Sequence, residues 1–559
     1  MKKTGAEIVI EALKAQGVDL VFGYPGGSIM PVYDELYKSD LKHILSRHEQ
    51  GACHAADGYA RTSGKPGVVF ATSGPGATNL VTGLATAHMD SSPIVAITGQ
   101  VTTSAIGTDA FQEADIYGIS IPVTKYNYLV KHVENLSEVI AEAFYIAQTG
   151  RPGPVVIDIP KDVQFAACEY IQPETVPLLK YVSEPQHAFD AEVEQLVELL
   201  RQAERPIIYA GGGAIMSNAA DAVRKLAKTA SIPITYTLTA NGVFPSDDEL
   251  ALGMPGMHGT RYANEALNHA DLVIAAGTRF DDRVTGNIAE FVKHATIAHI
   301  DIDPAEIDKV KQAHLPITGN LREVLEALLV KLDGVEIDPH TAWRQQVAGW
   351  KAEFPLTYEH SDSVIKPQFV IEQMSEITQG DAIITTGVGQ HQMWASLFYN
   401  FQHPKSFVTS GGLGTMGYGF PSSIGAKIAN PDKTVFAVTG DGSFQMNIQE
   451  LATVAYYNIP VKVVILNNGF LGMVRQWQEM FFDRRYAETH LDHGNPDFVA
   501  VAEAYGVAGF RMTKPSEVRS ILEQAVAVDG PVIIDCRVAA EENVFPMIPS
   551  GQTVHDTIG

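Results

Sequence analysis

Cysteine is scarce in this sequence. Cys53, Cys168 and Cys536 are the only three among 559 residues, and no two of them form a Cys-x-x-Cys pair. This scarcity excludes a disulfide framework and a cysteine-based zinc site. It is typical of proteins in a reducing compartment, so we predict a cytoplasmic location.

Long hydrophobic runs are also missing. Two lysines begin the N-terminal stretch, but Glu7, Glu11 and Lys14 then interrupt its apolar residues at helical spacing. This pattern predicts an amphipathic helix and not a signal peptide. No stretch is long and apolar enough to predict a membrane span.

Basic residues are fewer than acidic residues. Lys and Arg number 40 against 65 Asp and Glu, which gives a formal net charge of -25 and a pI near 5.1. An acidic surface repels nucleic acid and anionic membranes, so we expect neither as a partner. The charge favours solubility, and an anionic cofactor would need local cations or helix N-termini.

What the sequence does have is a regular alternation of short apolar runs with helical patterns. The runs are continuous and β-rich, and glycine turns follow many of them, which is typical of parallel strands buried between two layers of helices. We therefore predict an α/β fold with ligands at the C-terminal ends of the strands. The predicted strands include residues 68–71, 94–98, 155–159, 207–210, 272–275, 435–438, 461–466 and 532–535.

Two proline-containing linkers divide the chain, at residues 169–190 and 333–366. The second contains a helical piece. Three segments of ordinary domain size result. We predict three doubly wound parallel-sheet domains, at 1–168, 185–335 and 365–545.

A short internal echo links the first and third of these segments. GPVVIDI at residues 153–159 is repeated as GPVIIDC at 530–536, in both cases after a helical stretch. A shared closing strand favours a duplicated fold. Chance remains an alternative, because such strands are common in α/β chains.

The strongest motif lies between residues 440 and 468, which begin GDGSF and end NN. Two predicted strands and a helix form a βαβ unit here, so Asp441 and Asn468 follow strand ends that meet at one edge. A carboxylate and an amide oxygen suit Mg²⁺, which also takes phosphate oxygens. Gly440, Gly442 and the helix N-terminus after Ser443 let backbone N–H groups approach a phosphate. A lone GDG is ordinary turn chemistry, but the whole unit predicts a metal–diphosphate site.

The GDGSF…NN unit resembles the signature of thiamine-diphosphate enzymes. In that family Asp441, Asn468 and the backbone carbonyl of Phe470 would bind Mg²⁺. The resemblance also places the carboxylate that activates the cofactor at Glu49, inside RHEQGACHAADGYAR. An isolated Glu at a helix start is usually a surface residue, but two glycine-rich matches flank this one.

Those flanking matches are GYPGG at residues 23–27 and SGPGATN at 73–79, which let backbone approach a ligand. In this family Glu49 and Asp441 act on one cofactor from different subunits. The resemblance therefore implies a homodimer or homotetramer with shared active sites.

The resemblance covers essentially the whole chain and narrows to the catalytic large subunits of the acetohydroxyacid (acetolactate) synthase family. The matching stretches are DAFQEADI (109–116), TGRPGPVVIDIPKDVQ (149–164), GMHGT (256–260), GTRFDDRVTG (277–286), GVGQHQMWA (387–395), GGLGTMGYGFPSSIGAK (411–427), LGMVRQWQ (471–478) and VFPMIPSG (544–551). Further implied contacts to thiamine diphosphate are Pro25, Gly26, Asn79, Gln390, His391, Gly414, Met416, Gly442, Ser443, Leu471, Gly472 and Met473.

The middle segment resembles the FAD domain of the same family, in which the flavin has a structural role. A Gly-Gly-Gly turn follows the predicted strand 207–210, as a phosphate-binding turn would. Asn320 departs from the pattern, because many relatives carry Asp there. The implied flavin contacts are Arg151, Gly211, Gly212, Gly213, Thr237, Leu238, Met257, His258, Gly259, Thr260, Gly277, Arg279, Asp281, Arg283, Asp301, Ile302 and Asn320.

Substrate residues follow from the same resemblance. Gln112 and Lys161 match catalytic residues at the active-site entrance, and Phe111 lines it. Trp477 matches an aromatic residue that favours 2-oxobutanoate over pyruvate as second substrate, although core or interface packing would explain a Trp equally well. A lysine near the entrance suits the carboxylates of 2-oxo acids.

The resemblance implies that pyruvate is decarboxylated and that the hydroxyethyl carbanion is condensed with pyruvate or 2-oxobutanoate. The product is 2-acetolactate or 2-aceto-2-hydroxybutanoate, in branched-chain amino acid biosynthesis. A pyruvate oxidase-like enzyme, an FAD-independent fermentative acetolactate synthase and a non-catalytic homologue are the alternatives. A small regulatory subunit is left open, since no contact to one can be read from the chain.

Overall fold

The computed structural model describes residues 2–173, 175–176 and 189–559. Within these ranges the chain folds around three parallel β-sheets, which confirms the predicted α/β class. All eight predicted strands are present. Most of the linker predicted at 169–190 lies outside the described residues, as does the predicted start of the second domain at residue 185.

The first sheet has the strand order β3-β2-β4-β5-β7-β6, with every pair parallel. A separate antiparallel pair joins β1 to β8. The strands are β1 (Lys2–Thr4), β2 (Leu20–Gly23), β3 (Lys42–Leu45), β4 (Gly67–Ala71), β5 (Ile94–Gln100), β6 (Tyr126–Leu129), β7 (Val155–Pro160) and β8 (Ala167–Glu169). The helices are α1 (Gly5–Ala15), α2 (Met30–Lys38), α3 (Glu49–Ser63), α4 (Pro75–Thr78), α5 (Val81–Met89), α6 (Ile116–Ser120), α7 (Leu136–Gln148) and α8 (Lys161–Phe165).

The middle sheet has five parallel strands in the order β10-β9-β11-β12-β13. Its strands are β9 (Pro206–Ala210), β10 (Ile234–Tyr236), β11 (Leu272–Ala276), β12 (Thr296–Asp301) and β13 (Leu315–Thr318). The helices of this part are α9 (Asp190–Gln202), α10 (Gly212–Met216), α11 (Ala220–Thr229), α12 (Arg261–His269), α13 (Asp282–Thr285) and α14 (Leu321–Lys331), followed by α15 (Thr341–Glu353) in the second predicted linker.

The third sheet has six parallel strands in the order β15-β14-β16-β17-β19-β18. The strands are β14 (Ile383–Thr386), β15 (Phe407–Thr409), β16 (Val435–Gly440), β17 (Lys462–Asn467), β18 (Ala508–Met512) and β19 (Val532–Arg537). The helices are α16 (Pro367–Thr378), α17 (Gln390–Phe398), α18 (Gly419–Ala429), α19 (Asp441–Gln445), α20 (Leu451–Tyr457), α21 (Gly472–Phe481), α22 (Phe498–Ala504) and α23 (Pro515–Ala527).

The first and third sheets have the same topology. Numbered along the chain within each sheet, the six strands occur in the order 2-1-3-4-6-5 in both. The echoed segments GPVVIDI and GPVIIDC form β7 and β19, which occupy the same place in their sheets. The echo in the sequence therefore marks a duplicated fold.

Alternating side chains of the strands enter different cores. On β4, Val68 and Phe70 pack into one hydrophobic core, whereas Val69 and Ala71 pack into another. The sheet is thus buried on both faces, which explains why the strands are continuously apolar.

The N-terminal amphipathic helix begins with a capping box. Thr4 Oγ1 accepts a hydrogen bond from the Glu7 backbone N–H at 3.3 Å, and Glu7 Oε2 accepts one from the Thr4 backbone N–H at 2.6 Å. The apolar face of α1 is buried, as its spacing predicts. Among the described ranges, no helix combines the length and the apolar character needed to cross a membrane.

The first and third sheets are joined through equivalent helices, α3 and α18. A Cβ atom on Gly58 of α3 would lie 2.0 Å from the Ser422 carbonyl oxygen, and one on Gly425 of α18 would lie 1.8 Å from the Ala55 carbonyl oxygen. Only glycine allows two helix backbones to approach this closely. The contact fixes the first and third sheets against each other.

A buried ion cluster continues this contact. The Arg61 guanidinium donates from Nε to Asp57 Oδ1 at 2.8 Å and from Nη2 to Asp90 Oδ2 at 3.0 Å. It also donates from Nη1 to the Thr409 carbonyl oxygen at 2.8 Å. Asp57 and Asp90 belong to the first part of the chain and Thr409 to the third, so the cluster stabilises their junction.

We expect Gly425→Ala to destabilise the protein by about 1–3 kcal/mol, because its methyl group overlaps the backbone of α3. The matched control is Gly349→Ala, at a position in α15 where nothing lies within 4 Å of the new Cβ atom. That control should be neutral or stabilising by about 0.5–1 kcal/mol. Urea unfolding midpoints measure both, and a Gly425→Ala variant as stable as the control would refute the close helix contact.

Candidate active site

The ends of β16 and β17 bring the predicted metal ligands together. Gly440 is the register partner of Leu466, so Asp441 and Asn468 follow neighbouring strand ends. Asp441 is fully buried. Its Oδ2 atom accepts a hydrogen bond from Asn495 Nδ2 at 2.7 Å, but Oδ1 has no hydrogen-bond partner. Burial raises the pKa of Asp441 to about 6, and a cation at Oδ1 would favour the charged form.

Asn468 lies on the same edge. Its Oδ1 atom accepts a hydrogen bond from the Phe470 backbone N–H at 3.1 Å, and its Nδ2 atom is 3.4 Å from Gln390 Oε1. A carbonyl oxygen has two lone pairs, so the bond to Phe470 leaves one free for a metal. The turn holds Asn468 and Phe470 in one short loop, as the proposed metal ligation requires.

Glycine backbones form a cradle beside Asp441. A Cβ atom on Gly440 would lie 3.1 Å from His391 Nδ1, and one on Gly442 would lie 2.9 Å from Leu471 Cδ2 and 3.8 Å from Met416. Bare backbone therefore faces the side chains that the resemblance assigns to thiamine diphosphate. Such a surface admits a phosphate group closely.

Polar groups complete this cradle. Ser443 Oγ accepts a hydrogen bond from the Gly417 backbone N–H at 2.9 Å. A Cβ atom on Gly472 would lie 2.2 Å from Gln390 Oε1 and 2.7 Å from Asn468 Nδ2, so no side chain fits there. Burial lowers the pKa of His391 to about 4, and its Nε2 atom has no hydrogen-bond partner. A neutral imidazole at this place can donate to a ligand oxygen.

The helix predicted after GDGSF is broken. α19 ends at Gln445, a 3₁₀ turn covers Ile448–Glu450, and α20 begins at Leu451. Asn447 interrupts the helix because its Nδ2 atom donates to the Gly417 carbonyl oxygen at 2.8 Å. One helix therefore does not run from 441 to 457, but Ile448, Leu451 and Ala455 lie beyond the break and pack into one hydrophobic core.

The carboxylate that the resemblance assigns to cofactor activation lies in a second group of residues. Glu49 begins α3, is buried, and its Oε2 atom accepts a hydrogen bond from Asn79 Nδ2 at 2.9 Å. A Cβ atom on Gly76 would lie 3.1 Å from Glu49 Oε1 and 2.8 Å from Thr72 Cγ2, and one on Gly26 would lie 2.5 Å from the same Thr72 atom. Thr72 therefore connects the GYPGG and SGPGATN turns around Glu49.

Gln112 joins this group, whereas Phe111 points into solvent. Gln112 has a positive φ of 60°, and a Cβ atom on Gly74 would lie 2.7 Å from its carbonyl oxygen. Phe111 is 89% exposed. Lys161 begins α8 directly after β7, whose last residue pairs with the last residue of β5, so it lies on the same C-terminal edge of the sheet.

The two groups come from the first and the third parts of the chain. The N-terminal half-site consists of Gly26, Glu49, Thr72, Gly76 and Asn79, and the C-terminal half-site consists of His391, Asp441, Gly442, Ser443 and Asn468. The Glu49 carboxylate accepts a hydrogen bond from Asn79, inside its own half-site. Large apolar side chains are exposed near both: Tyr24, Met30 and Phe111 near the first, and Met446, Val474, Phe481 and Phe482 near the second.

A cavity of about 1130 Å³ lies where the three parts of the chain meet. Fifteen of the seventeen predicted flavin contacts line it. They are Arg151, Gly211, Gly212, Gly213, Thr237, Leu238, Met257, His258, Gly277, Arg279, Asp281, Arg283, Asp301, Ile302 and Asn320. The other two predicted contacts, Gly259 and Thr260, do not line the cavity. Thr260 caps α12, and a Cβ atom on Gly259 would overlap Met254 and Pro255.

Packing against a neighbouring turn requires glycine at two positions of the Gly-Gly-Gly turn. A Cβ atom on Gly211 would lie 2.2 Å from the Gly277 carbonyl oxygen, and one on Gly213 would lie 2.8 Å from Gly277 Cα. The turn after β9 and the turn after β11 thus touch backbone to backbone. Gly212 faces Thr239 instead, so its bare backbone borders the cavity.

Charged side chains in the cavity are held by partners. Arg151 pairs with Glu306 at 2.5 Å and donates to Ser91 at 2.8 Å, and Arg279 pairs with Asp281 at 3.0 Å. Burial raises the pKa of Asp301 to about 6. These groups offer both cations for a diphosphate and carboxylates for ribose hydroxyls.

The cavity extends to loops of the third part of the chain. Gly414 and Met416, assigned to thiamine diphosphate, line it together with Met473 and Trp477 of α21. Trp477 is half-buried and its ring packs at 5.4 Å on Phe481. One continuous space therefore borders the proposed flavin contacts, three residues assigned to thiamine diphosphate and Trp477.

Several residues of this site carry no signal in the sequence. Thr72 and Asn495 lie in ordinary turn sequences. Asp90 accepts hydrogen bonds from the Gly411 and Gly412 backbone N–H groups at 2.9 and 2.7 Å, and so holds the loop that leads to Gly414. Their partners lie far along the chain, so no local pattern reveals them.

Three sequence families match the chain in order. They are described as Thiamine pyrophosphate enzyme, N-terminal TPP binding domain (residues 3–119), central domain (193–328) and C-terminal TPP binding domain (387–536). Thiamine pyrophosphate and thiamine diphosphate are the same compound.

Similar proteins extend over the full length. The Acetolactate synthase large subunit of Corynebacterium glutamicum is 49% identical over 565 residues, covering 99% of this chain and 90% of that protein. The Acetolactate synthase large subunit of Cyanidium caldarium is 47% identical over 570 residues, covering 100% and 97%. The Acetolactate synthase isozyme 2 large subunit of Escherichia coli is 48% identical over 547 residues, covering 98% of each chain. This chain therefore belongs to the acetolactate synthase large-subunit family of thiamine pyrophosphate enzymes.

Proposed function

We propose that the chain is the catalytic subunit of an acetohydroxyacid (acetolactate) synthase. It decarboxylates pyruvate and transfers the two-carbon unit to pyruvate or 2-oxobutanoate, which yields 2-acetolactate or 2-aceto-2-hydroxybutanoate. The observation that carries this proposal is the buried, unpartnered oxygen of Asp441 beside a glycine cradle at two adjacent strand ends. The full-length similarity to acetolactate synthase large subunits supports the choice of substrates.

The C-terminal half-site fits Mg²⁺ and a diphosphate. Asp441 Oδ1, Asn468 Oδ1 and the Phe470 carbonyl would hold the metal, since these are the hard oxygen ligands that Mg²⁺ prefers. The Gly442 backbone and Ser443 would hold the diphosphate at the N-terminus of α19. When bound, thiamine diphosphate supplies the carbon nucleophile that adds to the 2-oxo acid and accepts the electrons left by decarboxylation.

Glu49 has the position and surroundings of the activating carboxylate. Asn79 fixes its Oε2 atom, and Oε1 lies beside Gly76, where a Cβ atom would come within 3.1 Å of it. Glu49 would exchange a proton with that ring in a water-poor site. Asn79 acts by holding the carboxylate in one orientation.

Two copies of the chain would complete each active site. Glu49 and Asp441 lie in different half-sites, and exposed apolar side chains border both. Apolar patches of this kind are covered when subunits associate. We therefore propose a homodimer, or a tetramer built from it, in which the N-terminal half-site of one chain faces the C-terminal half-site of another.

FAD is the proposed occupant of the large cavity. Its volume of about 1130 Å³ is ample for a dinucleotide, and Arg151 and Arg279 supply cations near a glycine turn. An enzyme without flavin would not need this arrangement, which favours the biosynthetic enzyme over the fermentative one. Product analysis separates both from a pyruvate oxidase, which would form acetate or acetyl phosphate, and from a homologue without activity.

Trp477, Phe111, Gln112 and Lys161 are the proposed substrate residues. Trp477 borders the cavity beside Met473, and an aromatic wall there would favour the extra methylene of 2-oxobutanoate by about 0.8 kcal/mol per buried CH₂. Lys161 would attract the substrate carboxylate.

The relatives are named large subunits, which supports a smaller partner chain. We also propose a cytoplasmic location.

Subunit complementation tests the shared active site. We expect Glu49→Gln and Asp441→Asn to be severely impaired as separate proteins, because each lacks one essential carboxylate. Mixed chains should regain about a quarter of the wild-type rate after random pairing, since each hybrid dimer has one intact site. Steady-state assays with pyruvate measure this.

The control is Glu138→Gln, which changes an exposed carboxylate in the first turn of α7 and should keep full activity. Absence of any recovery in the mixture, with hybrids verified by two affinity tags, would show that one chain supplies both groups.

The flavin proposal is tested by colour and affinity. The purified protein should be yellow and release FAD on denaturation. Arg279→Ala should weaken FAD binding about tenfold or more, because a charge-assisted hydrogen bond is lost, whereas Arg205→Ala, an exposed arginine outside the cavity, should not. A colourless, fully active protein that gains nothing from added FAD would contradict this and favour the fermentative enzyme.

Trp477→Leu tests substrate preference. We expect acetolactate formation from pyruvate to continue, while the preference for 2-oxobutanoate falls by about 1–3 kcal/mol, or tenfold or more in product ratio. Competition between both 2-oxo acids in one reaction measures the ratio. Trp350→Leu, a half-buried tryptophan on α15, is the control. If the ratio holds while total activity collapses, Trp477 serves packing alone.

A further inference from the structure

The segment 489–495 lies against both loops of the proposed metal site. Its backbone is bound to the loop that carries Phe470: the Leu471 N–H donates to the Thr489 carbonyl oxygen at 2.9 Å, and the Leu491 N–H donates to the Gly469 carbonyl oxygen at 2.7 Å. The side chain of Asn495 then reaches the other loop, at Asp441. This segment therefore ties together the two strand ends that would share the metal.

Asn495 is held so that its donor faces Asp441. Its Nδ2 atom donates to Asp441 Oδ2 at 2.7 Å, while its Oδ1 atom accepts a hydrogen bond from Gln445 Nε2 at 2.8 Å. Gln445 Nε2 also lies 3.1 Å from the Asp441 carbonyl oxygen. Because Gln445 offers a donor, the Asn495 amide cannot turn its oxygen toward the carboxylate without losing a bond.

The two carboxylate oxygens of Asp441 therefore differ in their hydrogen bonding. Oδ2 is satisfied by Asn495, whereas Oδ1 is buried without any hydrogen-bond partner. A buried carboxylate with one unpaired oxygen costs free energy unless a cation or donor arrives. The bond from Asn495 keeps the carboxylate from rotating, so the unpaired oxygen stays directed to one place.

We propose that Asn495 is a positioning residue for the metal site, and that Gln445 acts through it. Asn495 selects which oxygen of Asp441 is offered to the metal, and Gln445 fixes the amide of Asn495. This inference rests on the proposed function, which places the metal at Asp441. Hydrogen bonds from residues that do not themselves bind the metal orient the metal ligands. Loss of such a bond typically lowers metal affinity about 10–100-fold.

The test is metal binding to the full-length protein, with Mn²⁺ as the probe in the presence of thiamine diphosphate. Free Mn²⁺ is followed by electron paramagnetic resonance during titration. We expect Asn495→Ala to raise the dissociation constant of Mn²⁺ about 10–100-fold. The cofactor-free protein should stay folded with a somewhat lower thermal midpoint, because buried Asp441 Oδ2 loses a hydrogen bond, so the Mn²⁺ affinity is the decisive measurement.

The matched control is Asn430→Ala, another half-buried asparagine, whose amide donates to the Ala426 carbonyl oxygen of its own helix. It should leave Mn²⁺ affinity unchanged. Wild-type affinity in Asn495→Ala overturns the inference, and so does a lower thermal midpoint with unchanged affinity, which marks a structural residue.

A double-mutant comparison tests the role of Gln445. We expect Gln445→Ala to weaken Mn²⁺ binding in the same direction as Asn495→Ala but less. The double variant should bind no more weakly than Asn495→Ala alone, because the two residues act in series. Full additivity of the two effects would overturn the action of Gln445 through Asn495.

Asp441→Asn separates this inference from the proposed function. Weak Mn²⁺ binding in Asp441→Asn together with normal binding in Asn495→Ala refutes the positioning role alone. Wild-type Mn²⁺ affinity in Asp441→Asn removes the metal from this site and refutes the proposed function with it.

Discussion

The close contact between α3 and α18 is the constraint on which the rest of the molecule depends. Gly58 and Gly425 let the two helix backbones approach within a distance that any other residue would prevent. A glycine inside a helix costs roughly 0.5–1 kcal/mol relative to alanine, so the packing gained at this junction must offset two such costs. Arg61, Asp57 and Asp90 add a buried ion cluster at the same place.

This junction explains where the functional groups lie. α3 begins at Glu49, and the loop before α18 carries Gly414 and Met416, so fixing the helices also fixes both ends of the proposed site. Asp90 extends the ion cluster to the backbone of Gly411 and Gly412. The same contact therefore sets the fold of the junction and the position of the loop that lines the large cavity at Gly414 and Met416.

The proposed site would bind anionic ligands although the chain as a whole is negatively charged. The formal net charge is -25, yet the proposed ligands include two diphosphates. The structure supplies Arg151 and Arg279 at the cavity, each paired with a carboxylate of the chain, and the backbone at the start of α19. Burial of Asp441 leaves a carboxylate that a cation would stabilise, so metal and diphosphate would support each other's binding.

The sequence by itself determined the local features of this protein. Continuous apolar runs predicted the strands, since both faces of each sheet are buried, and the GDGSF…NN spacing predicted that Asp441 and Asn468 follow adjacent strand ends. The echo of GPVVIDI in GPVIIDC predicted the duplicated fold, because equal topology places the same strand at the same position. Resemblance to a family supplied the expected cofactor contacts, which the spacing of residues could not have given.

Only the tertiary structure decided how distant segments meet. It interrupted the helix after GDGSF at Asn447, kept Gly259 and Thr260 out of the cavity wall, and brought Asn495 to Asp441 and Thr72 between two glycine turns. These outcomes depend on side-chain hydrogen bonds and backbone contacts between residues far apart in the chain, and periodicity and turn chemistry report only on neighbours.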